Sequence, residues 1–324
     1  MSGTNTAATR TTATKTAARP AETHRSRLAA GKPSRTAEIT AQLRASDAKL
    51  RGSRRLLSDH YARFFVTNRW YRALRFTATS SLFGLKVFDR AYGGFTAEII
   101  LRTRHFDDEL TAAAARGVDQ VLVLGAGYDS SVQRHAELGR ATFFEVDHPA
   151  TQRAKLAVLD ARGLRPANAV YVPVDLERGD KLSTALESAG FDVTRPCLIG
   201  WHGVSFFLSP EAFAAALAGL AALSAPGSRL VFDYMDESVV DGTTQYRGAK
   251  RGAANVAAAG ELYRNGLTQQ SAERAAQRAG FRAVDHLRVT DLVRRYGGKR
   301  PYCRADDFMG LVTVERVAAG AVDS

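Results

Sequence analysis

The sequence has little cysteine and no long uncharged apolar run, and these two shortages exclude several classes of protein. Only two of its 324 residues are cysteines, Cys197 and Cys303, too few for a disulfide framework or a four-cysteine zinc site. The longest apolar stretch, residues 212–223, falls well short of the roughly 18 residues that a membrane-spanning helix needs. With 45% hydrophobic residues, the chain can bury a sizeable core. We therefore expect a soluble, cytoplasmic protein with no membrane partner and no metal site.

Acidic residues are scarce at the start of the chain. Residues 1–34 contain a single acid, Glu22, and no apolar periodicity, so we expect a disordered basic tail. Residues 1–60 hold 12 Lys+Arg and 4 Asp+Glu, a charge of +8 out of +12 for the whole chain. Because no aromatic residues are interleaved with the basic ones there, nucleic acid is not the expected partner. An organellar transit peptide is the alternative interpretation, and the lack of an apolar core argues against a secretory signal.

Residues 35–98 carry a helical pattern with many aromatic side chains. Ile39, Leu43 and Leu50 fall near one face of a helix, and an aromatic-rich run follows over residues 61–70. This pattern predicts several short helices. They either cap the core or form a lid over a substrate pocket that excludes water.

Residues 99–318 alternate between apolar runs typical of buried strands and stretches typical of helices. The predicted strands are residues 120–125, 141–147, 169–174, 197–201 and 229–234, and the predicted helices between them are 105–116, 150–162, 180–189 and 210–223. This alternation predicts an α/β fold with a mostly parallel sheet and helices on both faces. Residues 281–289 and 308–316 are predicted to add an antiparallel edge.

Glycines and acids end the first two predicted strands, where ligands bind in open parallel sheets. Gly125 and Gly127 let the backbone turn tightly and approach a ligand closely. About twenty residues later, Asp147 is placed to accept hydrogen bonds from both hydroxyls of a ribose. Ser130 stands where a dinucleotide fingerprint has its third glycine, and no P-loop is present. These features favour a nucleoside without phosphates, S-adenosylmethionine (SAM), and leave a dinucleotide as the weaker alternative.

These motifs together resemble the leucine carboxyl methyltransferase family of class I SAM-dependent methyltransferases. The similarity rests on residues 102–108 (RTRHFDD), 120–129 (QVLVLGAGYD) and 144–149 (FEVDHP), and it extends over roughly residues 36–316. It implies the class I methyltransferase fold, a Rossmann-like sheet that binds SAM. It also implies that Arg102 pairs with the SAM carboxylate, while Gly125 and Gly127 line the methionine and ribose portion.

The resemblance further implies which residues hold the adenosine part of SAM. Asp147 matches the ribose-binding acid, and Glu145 is its neighbour in the motif. Asp175 and Leu176 match the positions beside the adenine ring, where a carboxylate can accept a hydrogen bond from the exocyclic amine.

The chain departs from the family pattern after the fourth predicted strand. The family has E-G-V-x-x-Y-L, whereas here His202 replaces the acid beside the SAM amino-acid portion and Phe207 replaces the tyrosine. A neutral histidine loses the favourable interaction with the SAM ammonium group. Two roles are open for His202. It either accepts a proton from a hydroxyl substrate as a general base, or it only orders the cofactor or a water.

The predicted function is a SAM-dependent O-methyltransferase that acts on a small carboxylic acid or a hydroxylated metabolite. The alternative, motivated by the replacements at residues 202 and 207, is a SAM-binding protein without transfer activity. The candidates for the acceptor pocket are Phe65, Trp70, Tyr128, Tyr246 and Tyr263. A basic cluster over residues 294–300 either meets an anionic substrate or is a solvated loop. Nothing in the sequence indicates the oligomeric state.

Overall fold

An eight-stranded sheet organises the part of the chain that the computed structural model describes, namely residues 31, 33–67, 77–176, 182–258, 260–297, 300 and 302–318. The strands are β1 Gln120–Leu124, β2 Thr142–Asp147, β3 Ala169–Pro173, β4 Leu198–Trp201, β5 Arg229–Asp236, β6 Gly266–Leu267, β7 Phe281–Arg288 and β8 Met309–Arg316. Almost all of the predicted basic tail lies outside the described residues, as do Trp70 and Lys299.

The strand order confirms the predicted sheet. It is β3-β2-β1-β4-β5-β8-β7, with β6 paired to β5 beside this path. Strands β1 to β6 pair in parallel, whereas β8 is antiparallel to both β5 and β7. Strands β2 and β3 follow on one side of β1, and β4 and β5 follow on its other side. The strand order therefore reverses between β1 and β4. A crevice for a ligand is expected at the carboxyl ends of these two strands.

Helices cover both faces of this sheet. They are α1 Arg35–Asp47, α2 Ala78–Ala91, α3 Phe95–Ala115, α4 Ser131–Arg134, α5 Pro149–Asp160, α6 Leu182–Ser188, α7 Pro210–Ala222, α8 Glu237–Val240, α9 Arg247–Ala258, α10 Gln269–Arg278 and α11 Val289–Leu292. Helix α3 begins ten residues before its predicted start and continues through residue 98, the predicted boundary between cap and sheet. No helix among the described residues is apolar over a stretch that could cross a membrane.

Alternate residues of each strand point to opposite faces of the sheet, and both faces are buried. Val121 and Val123 of β1 join one apolar cluster, and Leu122 and Leu124 join the other. Near-continuous apolar runs are the pattern expected of parallel strands covered by helices on both sides. The polar residues that follow the strands are therefore left at the sheet edge, next to the glycine turn.

A buried carboxylate ties the predicted cap to the glycine turn. Asp59 accepts hydrogen bonds from Arg44 of α1 at 2.9 Å, from Ser130 at 2.7 Å and from Arg134 of α4 at 3.3 Å. Burial alone would raise the pKa of Asp59, but the two guanidinium groups hold it below its usual value. Arg44 also donates to the backbone oxygen of Tyr128 at 2.6 Å, so α1 lies directly over the turn.

Candidate functional site

A cavity of about 730 Å³ opens at the carboxyl ends of β1, β2 and β4. Residues of helix α1 and residues 260–264 also line it. The predicted site residues that line it are Arg102, Gly125, Gly127, Asp147, Asp175, Leu176 and His202. The structure thus brings together seven predicted residues that lie up to a hundred positions apart in the chain.

The turn after β1 contains two glycines whose backbone conformations and close neighbours disfavour any side chain. Gly125 has φ +66° and Gly127 has φ +50°, the left-handed region that favours glycine. A Cβ atom on Gly125 would lie 2.2 Å from Cγ2 of Val204, and one on Gly127 would lie 3.2 Å from Cβ of Ala37 in α1. This turn, called the glycine cradle below, therefore has no space for a side chain at residue 125.

Asp147 lies across from the glycine turn at the end of β2. Its carboxylate accepts hydrogen bonds from the backbone N–H of Gly127 and, at 2.6 Å, from that of His148. Burial raises the pKa of Asp147, and these two donors offset part of that effect. Further along the same edge, Asp175 lies 3.6 Å from Nε2 of His148, and Leu176 adds an apolar wall. This edge offers carboxylates for hydroxyl and amine donors beside an apolar surface.

Glu145 does not line the cavity, although the sequence grouped it with Asp147. It is two residues back from the end of β2, roughly 7 Å below the edge of the sheet. There it is buried and pairs with the amino group of Lys155 in α5. The structure places Glu145 in an internal ion pair that supports the strand end.

A buried cluster of three ionisable residues, Glu98, Arg102 and Asp233, adjoins the site, and Glu98 and Arg102 of this cluster line the cavity. Nη1 of Arg102 donates to Oε1 of Glu98 at 2.9 Å and also to Asp233 of β5. Asp233 accepts the backbone N–H of Gly203 at 2.8 Å. Burial, and then the negative charge of Asp233, raise the pKa of Glu98 to about 8, against the opposing effect of Arg102.

The sequence reasoning missed Glu98 and Asp233, although both left a signal. Glu98 stands four residues before Arg102, a spacing that places the two side chains together on a helix. Asp233 is an acid inside the otherwise apolar strand β5, where a buried charge needs a partner. The partner is 131 residues away, and only the fold identifies it.

His202 lies in the cavity wall just after β4. Its ring stands edge-on to Phe106 with 5.0 Å between the ring centroids, and its Nε2 atom is buried with no hydrogen-bond partner among the described residues. Burial, and then the positive charge of Arg102, lower the pKa of His202 to about 3. Such an imidazole is neutral near pH 7 and accepts a proton poorly. This argues against the general-base interpretation and favours a role in ordering the cofactor.

We expect His202 to stay neutral across the physiological pH range. Nitrogen-15 NMR of the histidine side chains should show no titration of His202 between pH 5 and pH 8, because its pKa is lowered to about 3. The spectrum of a His202→Gln variant assigns the signal. A midpoint between pH 6 and pH 7 for that signal would contradict this expectation.

Only some of the residues predicted for the acceptor pocket line the cavity. Tyr128 and Tyr263 line the cavity. Phe65 is buried behind Tyr128, with the two rings stacked 5.1 Å apart, and Tyr246 is partly exposed and does not contribute to the wall. Phe207, the residue at the family tyrosine position, also lines the cavity. Aromatic side chains therefore form part of the cavity wall.

The described arginines of the basic cluster, Arg294, Arg295 and Arg300, do not line the cavity. Arg294 pairs with Asp291 at 2.9 Å, and Arg295 pairs with Asp285 at 2.7 Å. Arg300 donates to backbone oxygens of its own chain. These guanidinium groups are engaged within the protein, which favours the interpretation of a solvated surface segment.

Comparisons with known proteins agree with the predicted family and fold. The profile of the family described as leucine carboxyl methyltransferase matches residues 37–221. A candidate S-adenosyl-L-methionine-dependent methyltransferase from Mycolicibacterium gilvum is 36% identical over 188 residues, 58% of this chain and 58% of the relative. One from Bacillus subtilis is 33% identical over 178 residues, 54% of this chain and 58% of the relative. The chain thus spans little more than half the length of these curated relatives.

Solved structures share the fold at low sequence identity. A candidate methyltransferase from Thermobifida fusca has a TM-score of 0.57 at 16% identity, covering 90% of this chain and 97% of its own. A DUF574 family protein from Streptomyces avermitilis has a TM-score of 0.55 at 15% identity, covering 74% of this chain and 92% of its own. These neighbours confirm the predicted Rossmann-like fold with its antiparallel edge. Because the family profile matches more than half of the sequence, the chain belongs to the leucine carboxyl methyltransferase family.

Proposed function

We propose that this protein binds SAM in the cavity and transfers its methyl group to an oxygen atom of a small acceptor. The observation that carries the proposal is the convergence of the seven predicted residues on one cavity at the strand ends. Its volume of about 730 Å³ lies within the range of small-molecule sites. The names of the curated relatives support SAM as the cofactor.

Each wall of the cavity suits a different part of SAM. The glycine cradle at residues 125–127 gives close backbone approach, and Asp147 suits the two ribose hydroxyls. Asp175 and Leu176 suit the adenine ring. Both hydrogen bonds from Arg102 to its neighbours use Nη1, so Nε and Nη2 are left for the methionine carboxylate within the described part of the chain.

The protein's contribution to the reaction is positioning and the exclusion of water. SAM supplies a methyl group on a sulfonium centre, which is electrophilic without help from the protein. The residues of this chain therefore need to hold the cofactor and the acceptor in line, which is catalysis by proximity and orientation. We propose that the cap of residues 35–98 encloses the site. Thr36 of α1 donates to Glu261 at 2.5 Å, and both residues line the cavity, which supports this role.

Of the two predicted acceptor classes, the site favours a carboxylic acid over a hydroxylated metabolite. A carboxylate is already anionic and needs no general base, whereas a hydroxyl group does. The low pKa of His202 leaves it unsuited to that role. A SAM-binding protein without transfer activity remains the second function to test. Binding of SAM without turnover on a panel of carboxylic acids and phenols would favour it.

Binding of S-adenosylhomocysteine (SAH), the demethylated product, tests the cofactor site. We expect Asp147→Ala to weaken SAH binding about 10- to 100-fold in calorimetric titration, since charge-assisted hydrogen bonds to the ribose are lost. The matched control is Asp160→Ala in α5, an exposed acid paired with Arg165 at 2.6 Å, which should bind SAH like the wild type. Unchanged affinity of the Asp147 variant would remove the ribose assignment, and no binding by the wild type would remove the proposed function.

A further inference from the structure

The amino-acid portion of SAM carries an ammonium group as well as a carboxylate, and the wall near Arg102 must receive both. Arg102 suits the carboxylate, but His202 is neutral and offers no charge to the ammonium. An ammonium group taken out of water needs an anionic or hydrogen-bonding partner. Among the residues that line the cavity, the carboxyl group nearest to Arg102 is that of Glu98.

The carboxyl group of Glu98 lies beside Arg102 in the cavity wall. Glu98 lies one turn before Arg102 on α3, and only 2% of its surface is exposed. Oε1 accepts from Arg102, whereas Oε2 is buried and accepts no hydrogen bond from a described residue. When Glu98 holds a proton, its carboxyl group shares a hydrogen bond with Asp233. A buried carboxyl oxygen without a donor is costly unless a ligand or a proton satisfies it. Glu98 lines the cavity, so a cationic donor bound there is a suitable partner for its ionised carboxyl group.

The charged and titratable groups around Glu98 come from four elements. They are Arg102 on α3 itself, Asp233 on β5, His202 after β4 and Tyr263 on the segment before β6. Burial raises the pKa of Tyr263 and lowers that of His202, so both are neutral near pH 7. Arg102 and Asp233 offset each other. Burial raises the pKa of Glu98 well above its usual value, so without SAM the carboxyl group favours its protonated form. An ammonium group beside it favours the ionised form.

We propose that Glu98 receives the ammonium group of the SAM amino-acid portion, in place of an acid at residue 202, and that it releases its proton when the cofactor binds. This inference rests on the proposed function, since it assumes SAM in the cavity. It assigns the Glu98–Arg102 pair to the two charges of one amino-acid group, with Arg102 on the carboxylate and Glu98 on the ammonium.

Calorimetry of SAH binding in two buffers of different ionisation enthalpy measures this proton directly. At pH 7 the wild type should release a measurable fraction of a proton per SAH bound, because burial raises the pKa of Glu98 and a nearby ammonium group favours its ionised form. Glu98→Gln keeps the shape of the side chain but holds no titrating proton. We expect it to bind SAH about 10- to 100-fold more weakly, with proton release near zero.

Two controls separate this role from a structural one. Glu109→Gln changes another acid on α3, one that pairs with Arg229 outside the cavity, and should keep both the affinity and the proton release of the wild type. An SAH analogue with hydrogen in place of the amino group should bind the wild type 10- to 100-fold more weakly than SAH and release no proton. This second measurement uses only the wild-type protein, so its result does not depend on whether a variant folds.

The outcomes distinguish the inference from the function on which it rests. No binding of SAH by the wild type overturns the proposed function and the inference with it. Equal affinity of wild type and Glu98→Gln for SAH, or equal proton release by both, overturns the inference alone. Equal binding of SAH and its deaminated analogue by the wild type does the same.

Discussion

Replacing Gly125 with alanine should abolish measurable SAH binding, a loss of at least about 100-fold, or roughly 2.7 kcal/mol. An alanine at φ +66° is strained, and its Cβ would lie 2.2 Å from Cγ2 of Val204. Either the turn or Val204 must then shift, and both line the cavity. We also expect the free energy of unfolding to fall by about 2–4 kcal/mol, from backbone strain and overpacking. Calorimetric titration and urea unfolding measure the two effects.

The matched control for this substitution is Gly163→Ala. Gly163 has φ +62°, close to that of Gly125, but an added Cβ meets no atom within 4 Å. It carries the backbone strain without the steric overlap, so we expect about 1 kcal/mol of destabilisation and unchanged SAH affinity. If both variants bound SAH like the wild type, the glycine cradle would have no part in cofactor binding.

Replacing Arg102 with methionine should have the largest effect on stability. The change leaves Glu98 and Asp233 buried without their shared positive partner, and breaking a buried pair in this way costs about 3–5 kcal/mol. It also removes the proposed ligand of the SAM carboxylate, so SAH binding should be lost. Urea unfolding of the variant and the wild type at pH 6 and pH 8 measures the destabilisation.

The pH dependence of this destabilisation has a defined sign. Burial already raises the pKa values of Glu98 and Asp233 above their usual values, and loss of Arg102 raises them further. Groups whose folded pKa exceeds the unfolded value destabilise the fold increasingly as pH rises above the unfolded value. The penalty should therefore be larger at pH 8 than at pH 6. Arg104→Met removes an exposed pair on the same helix and should cost under about 1 kcal/mol at either pH. A penalty of that size for Arg102→Met would contradict the account of the cluster.

The strands could be predicted closely from the sequence because their burial on both faces leaves continuous apolar runs. β1 and β2 begin or end within a residue of their predicted bounds, and the antiparallel edge is where it was expected. Strand β6 has only two residues and leaves no such pattern. Helix α3 was recognised only from residue 105, because its first turns bury polar residues, among them Thr96, Glu98 and Arg102. These polar residues interrupt the apolar period that marks a buried helix face.

The same physical reason explains which site residues could be predicted. Gly125 and Gly127 lie in the turn after β1 and Asp147 ends β2, so the topology of a parallel sheet places them at one edge. Glu145 is near Asp147 in the sequence, but it lies deeper in the strand and pairs with Lys155 instead. The pairing of Arg102 with Asp233 joins distant parts of the chain, and no local spacing indicates it.

The most direct test of the account is a crystal structure of the protein with SAH. We predict SAH in the cavity between the glycine turn and the end of β2, with its ribose hydroxyls on Asp147, its carboxylate on Arg102 and its ammonium group beside Glu98. SAH bound elsewhere on the protein, or a cavity that stays empty in crystals grown with saturating SAH, would contradict the account.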